Sequence, residues 1–103
     1  MGSTGEGCMN IEISPVEYER KLNWYDGKLY CSMLVIDGKD DWRLPTKEEL
    51  NDIYNSENDL NNPHWSATEF NGKHAWFQNL SFGYQASYTN KIDSYYVRPV
   101  RNI

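Results

Sequence analysis

Asp41-Trp42-Arg43-Leu44-Pro45-Thr46-Lys47-Glu48-Glu49-Leu50 divides this chain into two unlike parts. Thr46 and Glu49 stand at the spacing of a capping box, directly after Pro45, and predict the start of a helix that buries Leu50, Ile53 and Tyr54. Upstream the sequence also reads as helical. Asn23 is a candidate N-cap, with Asp26 near the positive helix end. Leu22, Tyr25, Leu29 and Met33 then recur at three- and four-residue steps beside Trp24, Cys31 and Leu34. That spacing predicts an amphipathic helix ending at Asp37-Gly38, with this stripe turned to the core. Ser14-Pro15-Val16-Glu17 has capping-box spacing and predicts a short helix or turn.

Downstream the pattern changes to strands. From His64 onward aromatic, Thr and Val residues interleave with polar ones, and Asn71-Gly72 and Phe82-Gly83 supply turns. Candidate strands lie near 64–70, 74–81, 84–90 and 95–102. Pro99 cannot donate to a ladder and predicts an edge or bulge in the last of them. Helices first and strands after predict an α+β architecture: two helices plus antiparallel β-sheet.

Composition bounds what such a domain can be. The 103 residues make one domain, and Leu, Ile, Val and Phe together number only 20, a thin aliphatic core. Another 12 residues are Trp or Tyr, whose rings bury large apolar areas. No apolar run approaches the roughly 20 residues of a membrane helix. A net charge of −5 and pI near 4.9 argue against nucleic acid as a partner. The charge is uneven: residues 1–60 hold 13 acidic and 6 basic side chains, residues 61–103 only 2 and 4.

Residues 1–10 have no apolar block of the kind a signal peptide needs, which predicts a flexible lead-in over 1–13 before one domain over 14–103. The two cysteines, Cys8 and Cys31, allow one bridge, although a buried free thiol at Cys31 is the favoured reading. Asn79-Leu80-Ser81 is a glycosylation sequon of a kind that arises often by chance.

Three stretches together are more specific than periodicity: Asn23-Trp24-Tyr25-Asp26 through Tyr30-Cys31, the Asp41–Leu50 block, and Trp65-Ser66-Ala67-Thr68 through Ala75-Trp76 to Tyr96-Val97-Arg98-Pro99-Val100-Arg101. In order and spacing, over roughly residues 15–103, they resemble the bacterial and phage family that includes the C-terminal domain of a collagen-like adhesin. The resemblance implies a C-type-lectin-like fold related to that of formylglycine-generating enzymes. Within that family the chain is most similar to variable proteins diversified by retroelements, in which a fixed frame displays residues altered by adenine-directed mutagenesis.

By position, the resemblance makes Trp65, Ser66, Thr68, Ala75, Trp76, Gln78, Asn79, Gly83, Lys91, Val97, Arg98, Val100 and Arg101 part of the frame, together with Trp24, Trp42, Arg43, Leu44 and Pro45. It makes Gly72, Lys73, His74, Phe77, Phe82, Tyr84, Ser87, Tyr88, Thr89, Asp93, Ser94 and Tyr95 the varying, ligand-binding positions. Two departures stand out. Pro99 replaces a Cys found in many relatives, which favours the free thiol at Cys31, and Gly27 replaces a helix Ala at a cost of up to about 1 kcal/mol.

Residue chemistry points the same way without the family. Between Asn71 and Tyr96, 12 of 26 residues are Tyr, Ser, Asn or Gly and only three are charged, a composition that joins rigid amphipathic rings to adaptable hydrogen bonding. The competing reading is an ordinary Tyr-rich sheet with rings packed across strands. The four tryptophans are expected in the core, and Arg43, Arg98 and Arg101 are expected to pair with acids of the first half such as Asp40, Asp41 or Glu49.

Catalysis is not expected. Cys31 has no cysteine partner in the C-terminal half, His64 and His74 alone are too few for a metal site, and Ser66 has no credible base near it in sequence. Calcium-lectin signatures are absent, and no cofactor is expected. The expectation is therefore a non-catalytic domain whose His74, Phe82, Tyr84, Tyr88 and Tyr95 face a cell-surface protein or glycan, without membrane insertion. The resemblance implies a virion (phage tail) or bacterial cell surface as its place and leaves the cytoplasm open. The alternative is an assembly module whose aromatic surface joins copies into a homo-oligomer.

Overall fold

The computed structural model describes residues 10–56 and 60–103. Its elements run in the order β1 (Ile11–Ile13), a 3-10 turn (Val16–Tyr18), β2 (Arg20–Leu22), α1 (Trp24–Met33), α2 (Lys47–Asn55), β3 (Pro63–Glu69), β4 (His74–Asn79), β5 (Gln85–Asn90), β6 (Tyr95–Val97) and β7 (Val100–Asn102). This is the expected α+β fold with two helices. The main sheet has the order β2-β6-β3-β4-β5, antiparallel except for the β3/β6 pair, and β1 pairs with β7 in a two-stranded ribbon.

The first half holds more than helices. Ile11–Ile13, expected in a flexible lead-in over 1–13, instead pair with Val100–Asn102, while residues 1–9 lie outside the described residues. β2 likewise pairs with β6, which zips residues near the start of the domain to those near its end. Strands of three residues leave almost no periodic trace in sequence, which is why the pattern reads as helical there. Cys8, and any bridge it makes, lies outside the described residues, whereas Cys31 is a free, buried thiol.

Helix α1 starts as expected, the Asn23 side chain accepting from the Asp26 N–H at 2.8 Å. It ends at Met33, short of Asp37-Gly38. Those two residues have φ of 51° and 79°, both positive, and sit between the bridged Ile36 and Lys39 as a tight hairpin turn. The helix also turns a different face inward. Trp24, Gly27 and Cys31 are buried, while Tyr25, Leu29 and Met33 lie exposed. Both sets have helical spacing, and the one containing the glycine wins because it approaches the sheet most closely.

Helix α2 carries the expected capping box, Thr46 accepting from the Glu49 N–H at 3.1 Å and Glu49 from the Thr46 N–H at 2.9 Å. Leu50 and Ile53 are buried, but Tyr54 reaches the surface. Ser14 does not cap the 3-10 turn, which starts from Pro15; its hydroxyl is buried without a hydrogen-bond partner among the described residues. The strand expected over 95–102 breaks at Arg98-Pro99 and changes sheets, and the Pro99 carbonyl accepts from the Ser14 N–H at 3.0 Å.

Two clusters form the core: Trp24, Cys31, Leu44, Trp65, Ala75, Phe77 and Val97 between α1 and the sheet, and Leu50, Ile53, Leu60 and Leu80 beneath α2. The buried indoles donate to backbone carbonyls, Trp24 to Ser66 at 2.9 Å, Trp42 to Lys39 at 3.0 Å and Trp65 to Leu22 at 3.1 Å. Arginines tie the halves together, as expected. Arg43 grips Glu49 in a fork at 2.7 and 2.9 Å and also meets Asn102; Arg101 meets Asp41 at 2.6 Å and Glu12 at 3.0 Å. Arg98 pairs with Glu19 at 3.1 Å, an acid the sequence did not single out.

Candidate binding surface

The twelve positions expected to bind divide into a display and a core. Gly72 and Lys73 in the β3–β4 turn, Phe82 and Tyr84 between β4 and β5, Tyr88 on β5, and Asp93 and Ser94 before β6 are exposed, while His74 and Ser87 are half-buried. Phe77 and Thr89 are instead buried. On β4, Ala75 and Phe77 share the face turned to α1, so Phe77 belongs to the core by strand alternation. Tyr95 is half-buried, its ring edge-on to Trp65 at 5.2 Å and to Phe77 at 5.0 Å, and burial raises its phenol pKa, aided by Asp93 and Tyr84. It is a packing residue.

The exposed rings form two groups, one toward each end of β5, an edge strand of the main sheet. At one end Tyr88, 73% exposed, lies 4.8 Å from the Phe70 ring and 5.2 Å from His74, with Trp76 beyond Phe70 at 6.5 Å. The Lys47 ammonium stands over Trp76 at 4.6 Å. At the other end Phe82 is 77% exposed and its carbonyl accepts from the Tyr54 hydroxyl at 3.3 Å, while Tyr84, 55% exposed, has its ring 6.2 Å from that of Phe77. Tyr84 and Tyr88 are about 13 Å apart along an extended strand.

Phe70 and Tyr54 were not among the expected binding positions, and Trp76 was expected in the core but is half-buried against Phe70 and Lys47. The signal for Phe70 was its place beside the Asn71-Gly72 turn. For Tyr54 no local signal existed, since its exposure depends on how the β4–β5 turn packs.

Polar side chains, some exposed and some buried, fix the loops that carry these rings. Asn71 Oδ1 accepts from the Lys73 and His74 N–H groups and faces His74 Nδ1, each at 2.9 Å. Asn79 Oδ1 accepts from Ser81 at 2.9 Å and Phe82 at 3.0 Å, which shapes the turn where Gly83 takes φ 95°. Asn79 is itself buried, so its sequon presents no accessible amide. Gln78 donates to the Gly83 carbonyl at 2.8 Å and to Asn51 at 3.0 Å. Lys91, buried, donates to Glu69 at 3.1 Å and the Gly72 carbonyl at 3.2 Å and stands 4.3 Å over the Trp24 ring. All three frame side chains serve the display from beneath.

The remaining reactive groups are engaged in structure. Ser66 Oγ donates to the Trp76 carbonyl at 2.7 Å. Burial pushes the Cys31 thiol up to about 12, which keeps it protonated and unreactive near neutral pH. His64 is fully buried between the Asn62 carbonyl at 3.1 Å and Glu19 Oε1 at 2.8 Å, far in role from surface His74. Among the described residues no three His, Cys, Asp or Glu side chains gather as metal ligands.

The structure is thus an α+β frame with exposed, uncharged rings on hydrogen-bonded turns. A model of the Lcl C-terminal domain family matches residues 6–101, nearly the whole chain, and the protein belongs to that family of adhesin-like C-terminal domains. No curated protein matches the chain.

Proposed function

We propose that this protein is a non-catalytic, ligand-binding domain of C-type-lectin type that recognises a cell-surface protein or glycan through the rings and small polar residues along β5 and its flanking turns. The observation that carries this reading is the division of labour described above: Asn79, Gln78 and Lys91 are buried and hold the turns, while Phe82, Tyr84 and Tyr88 project with most of their area exposed. Large exposed rings beside Ser, Asn and Gly suit recognition, because Tyr and Phe lose little entropy on contact.

The finer part of the proposal is that the displayed positions are diversified by a retroelement in a phage or bacterial genome, and that the domain works at a phage tail or bacterial surface. An imperfect repeat of the gene's 3′ end beside a reverse transcriptase supports this part; its absence refutes it. The binding itself is tested with fluorescently labelled protein on bacterial cells and on protein and glycan arrays. Binding present in the parent and lost in a Phe82→Ala/Tyr84→Ala/Tyr88→Ala variant of unchanged melting temperature supports the reading. Retained binding overturns the assignment of these rings.

The assembly reading has its own supporting observation, on another face. Tyr25, Leu29 and Met33 form an exposed apolar stripe along α1. Light scattering distinguishes it: a stable oligomer that dissociates on Leu29→Lys favours assembly through α1.

A further inference from the structure

A cleft of about 370 Å³ opens between α1, the 42–46 segment and β3, and none of the displayed rings lines it. Trp42, Leu44 and Ala67 give it an apolar wall, Thr46 lies at one side, and Lys28 and Ser32 reach it from α1. Its size falls in the range of small-molecule sites, which are mostly apolar with a few polar groups that orient the occupant. Every residue that lines it belongs to the helices, the Asp41–Leu50 block or β3, and none is among the positions expected to vary.

Electrostatics select what fits. Arg43 also lines the cleft, but both its Nη groups are taken, by the two Glu49 oxygens, the Leu44 carbonyl and Asn102, so it adds little net charge. Lys28 differs: its ammonium has no carboxylate partner among the described residues and is held 4.7 Å over the Trp24 ring. No acidic side chain lines the cleft. An unneutralised cation among the residues that line an apolar pocket, in a chain of net charge −5, favours a negative group there.

We propose that this cleft is a second binding site, for a small amphipathic anion: a flat apolar body against Trp42, Leu44 and Ala67, with one carboxylate or sulfonate at Lys28, since the Ser32 hydroxyl donates to the Leu29 carbonyl. It is separate from the displayed rings and does not depend on what they bind.

The probe is anilinonaphthalene sulfonate, with energy transfer from tryptophan as the readout. The expected result is saturable binding of one equivalent by the folded protein. Lys28→Glu weakens it about tenfold by exchanging attraction for repulsion. The uncharged analogue phenylnaphthylamine binds without this dependence on Lys28. Ser32→Trp, on the exposed side of α1, obstructs the mouth and abolishes binding of both. Equal melting temperatures show that the variants remain folded. Should either variant unfold, amide and methyl shifts of Leu44, Ala67 and Trp42 on titrating the unaltered protein decide instead. Binding that does not saturate, that is indifferent to both substitutions, that moves none of these signals, or that is lost only in the Phe82/Tyr84/Tyr88 variant overturns the proposal.

Discussion

Gly27 packs against Val97 so closely that a Cβ on the glycine would stand 2.7 Å from Val97 Cγ2. Carbon atoms settle near 3.5–4.0 Å, so the helix lies where only a residue without a side chain fits. The same contact explains the inward face of α1, since turning Tyr25, Leu29 and Met33 to the sheet would lift Gly27 off Val97. It also accounts for a glycine in a helix interior. Gly27→Ala gains up to about 1 kcal/mol of helix propensity. Against this, overpacking costs about 1–3 kcal/mol. The variant should therefore be destabilised by up to about 2 kcal/mol in denaturant melts. Val97→Ala should cost less in the Gly27→Ala background than alone, because the new methyl fills the vacated space. Additive losses would show that the two sites do not share this contact.

The displayed rings and the buried ones should separate cleanly by stability. Phe82→Ala, Tyr84→Ala and Tyr88→Ala remove exposed area and should each shift stability by no more than about 0.5 kcal/mol. Phe77→Ala, one strand away, leaves a cavity between α1 and the sheet and should cost about 3–5 kcal/mol. Thermal and denaturant melts of the four single variants check this. A large loss at Tyr88 would mean that its contacts with Phe70 and His74 are structural.

Legibility in the sequence followed the range of the interaction that fixes each feature. Local chemistry was readable: the Thr46/Glu49 box, the Asn23 cap, the turns at Asn71-Gly72 and Phe82-Gly83 and the break at Pro99 are set by neighbours within a few residues. Features fixed across the fold were not. The strands of residues 11–13 and 20–22 exist because β7 and β6 receive them, and the face of α1 was ambiguous until Gly27 met Val97. The same limit divided the binding positions. Tyr84 and Tyr88 differ from Tyr95 in nothing local, yet Tyr95 meets Trp65 and Phe77 from β6, in the interior of the main sheet, while the other two lie along its edge.

Acid should unfold the domain through Glu19 and Glu49. Burial pushes the Glu19 carboxyl up, but hydrogen bonds and charge from His64 and Arg98 together outweigh it and hold it below its ordinary 4.5. The Arg43 fork, opposed by burial and helped by the Thr46 N–H, does the same for Glu49. A carboxyl with a lowered folded pKa adds stability that is fully present above the unfolded value and lost as pH falls through the folded one. Stability should thus hold down to about pH 4.5 and fall below it. Glu19→Gln should be less stable at neutral pH, and its loss on acidification should be shallower. Denaturant midpoints between pH 7 and 3 measure both. An unchanged acid slope would remove Glu19 as a cause. Glu19→Ala, which strands the buried Arg98 and His64, should cost toward about 3 kcal/mol.

Cys31 offers a readout of opening beneath α1. Its thiol is 1% exposed, and burial pushes its pKa up to about 12, so almost none of the reactive thiolate forms near neutral pH in the folded chain. In a Cys8→Ser background, where Cys31 is the only thiol, modification by a disulfide reagent at pH 8 should require α1 to leave the sheet. The labelling rate should then rise with denaturant in step with unfolding, and Gly27→Ala should accelerate it because α1 is held less firmly. Labelling of folded protein as fast as that of unfolded chain would show that the thiol is reached without opening, and would contradict the packing of Cys31 against Trp24, Leu44 and Val97 in the core.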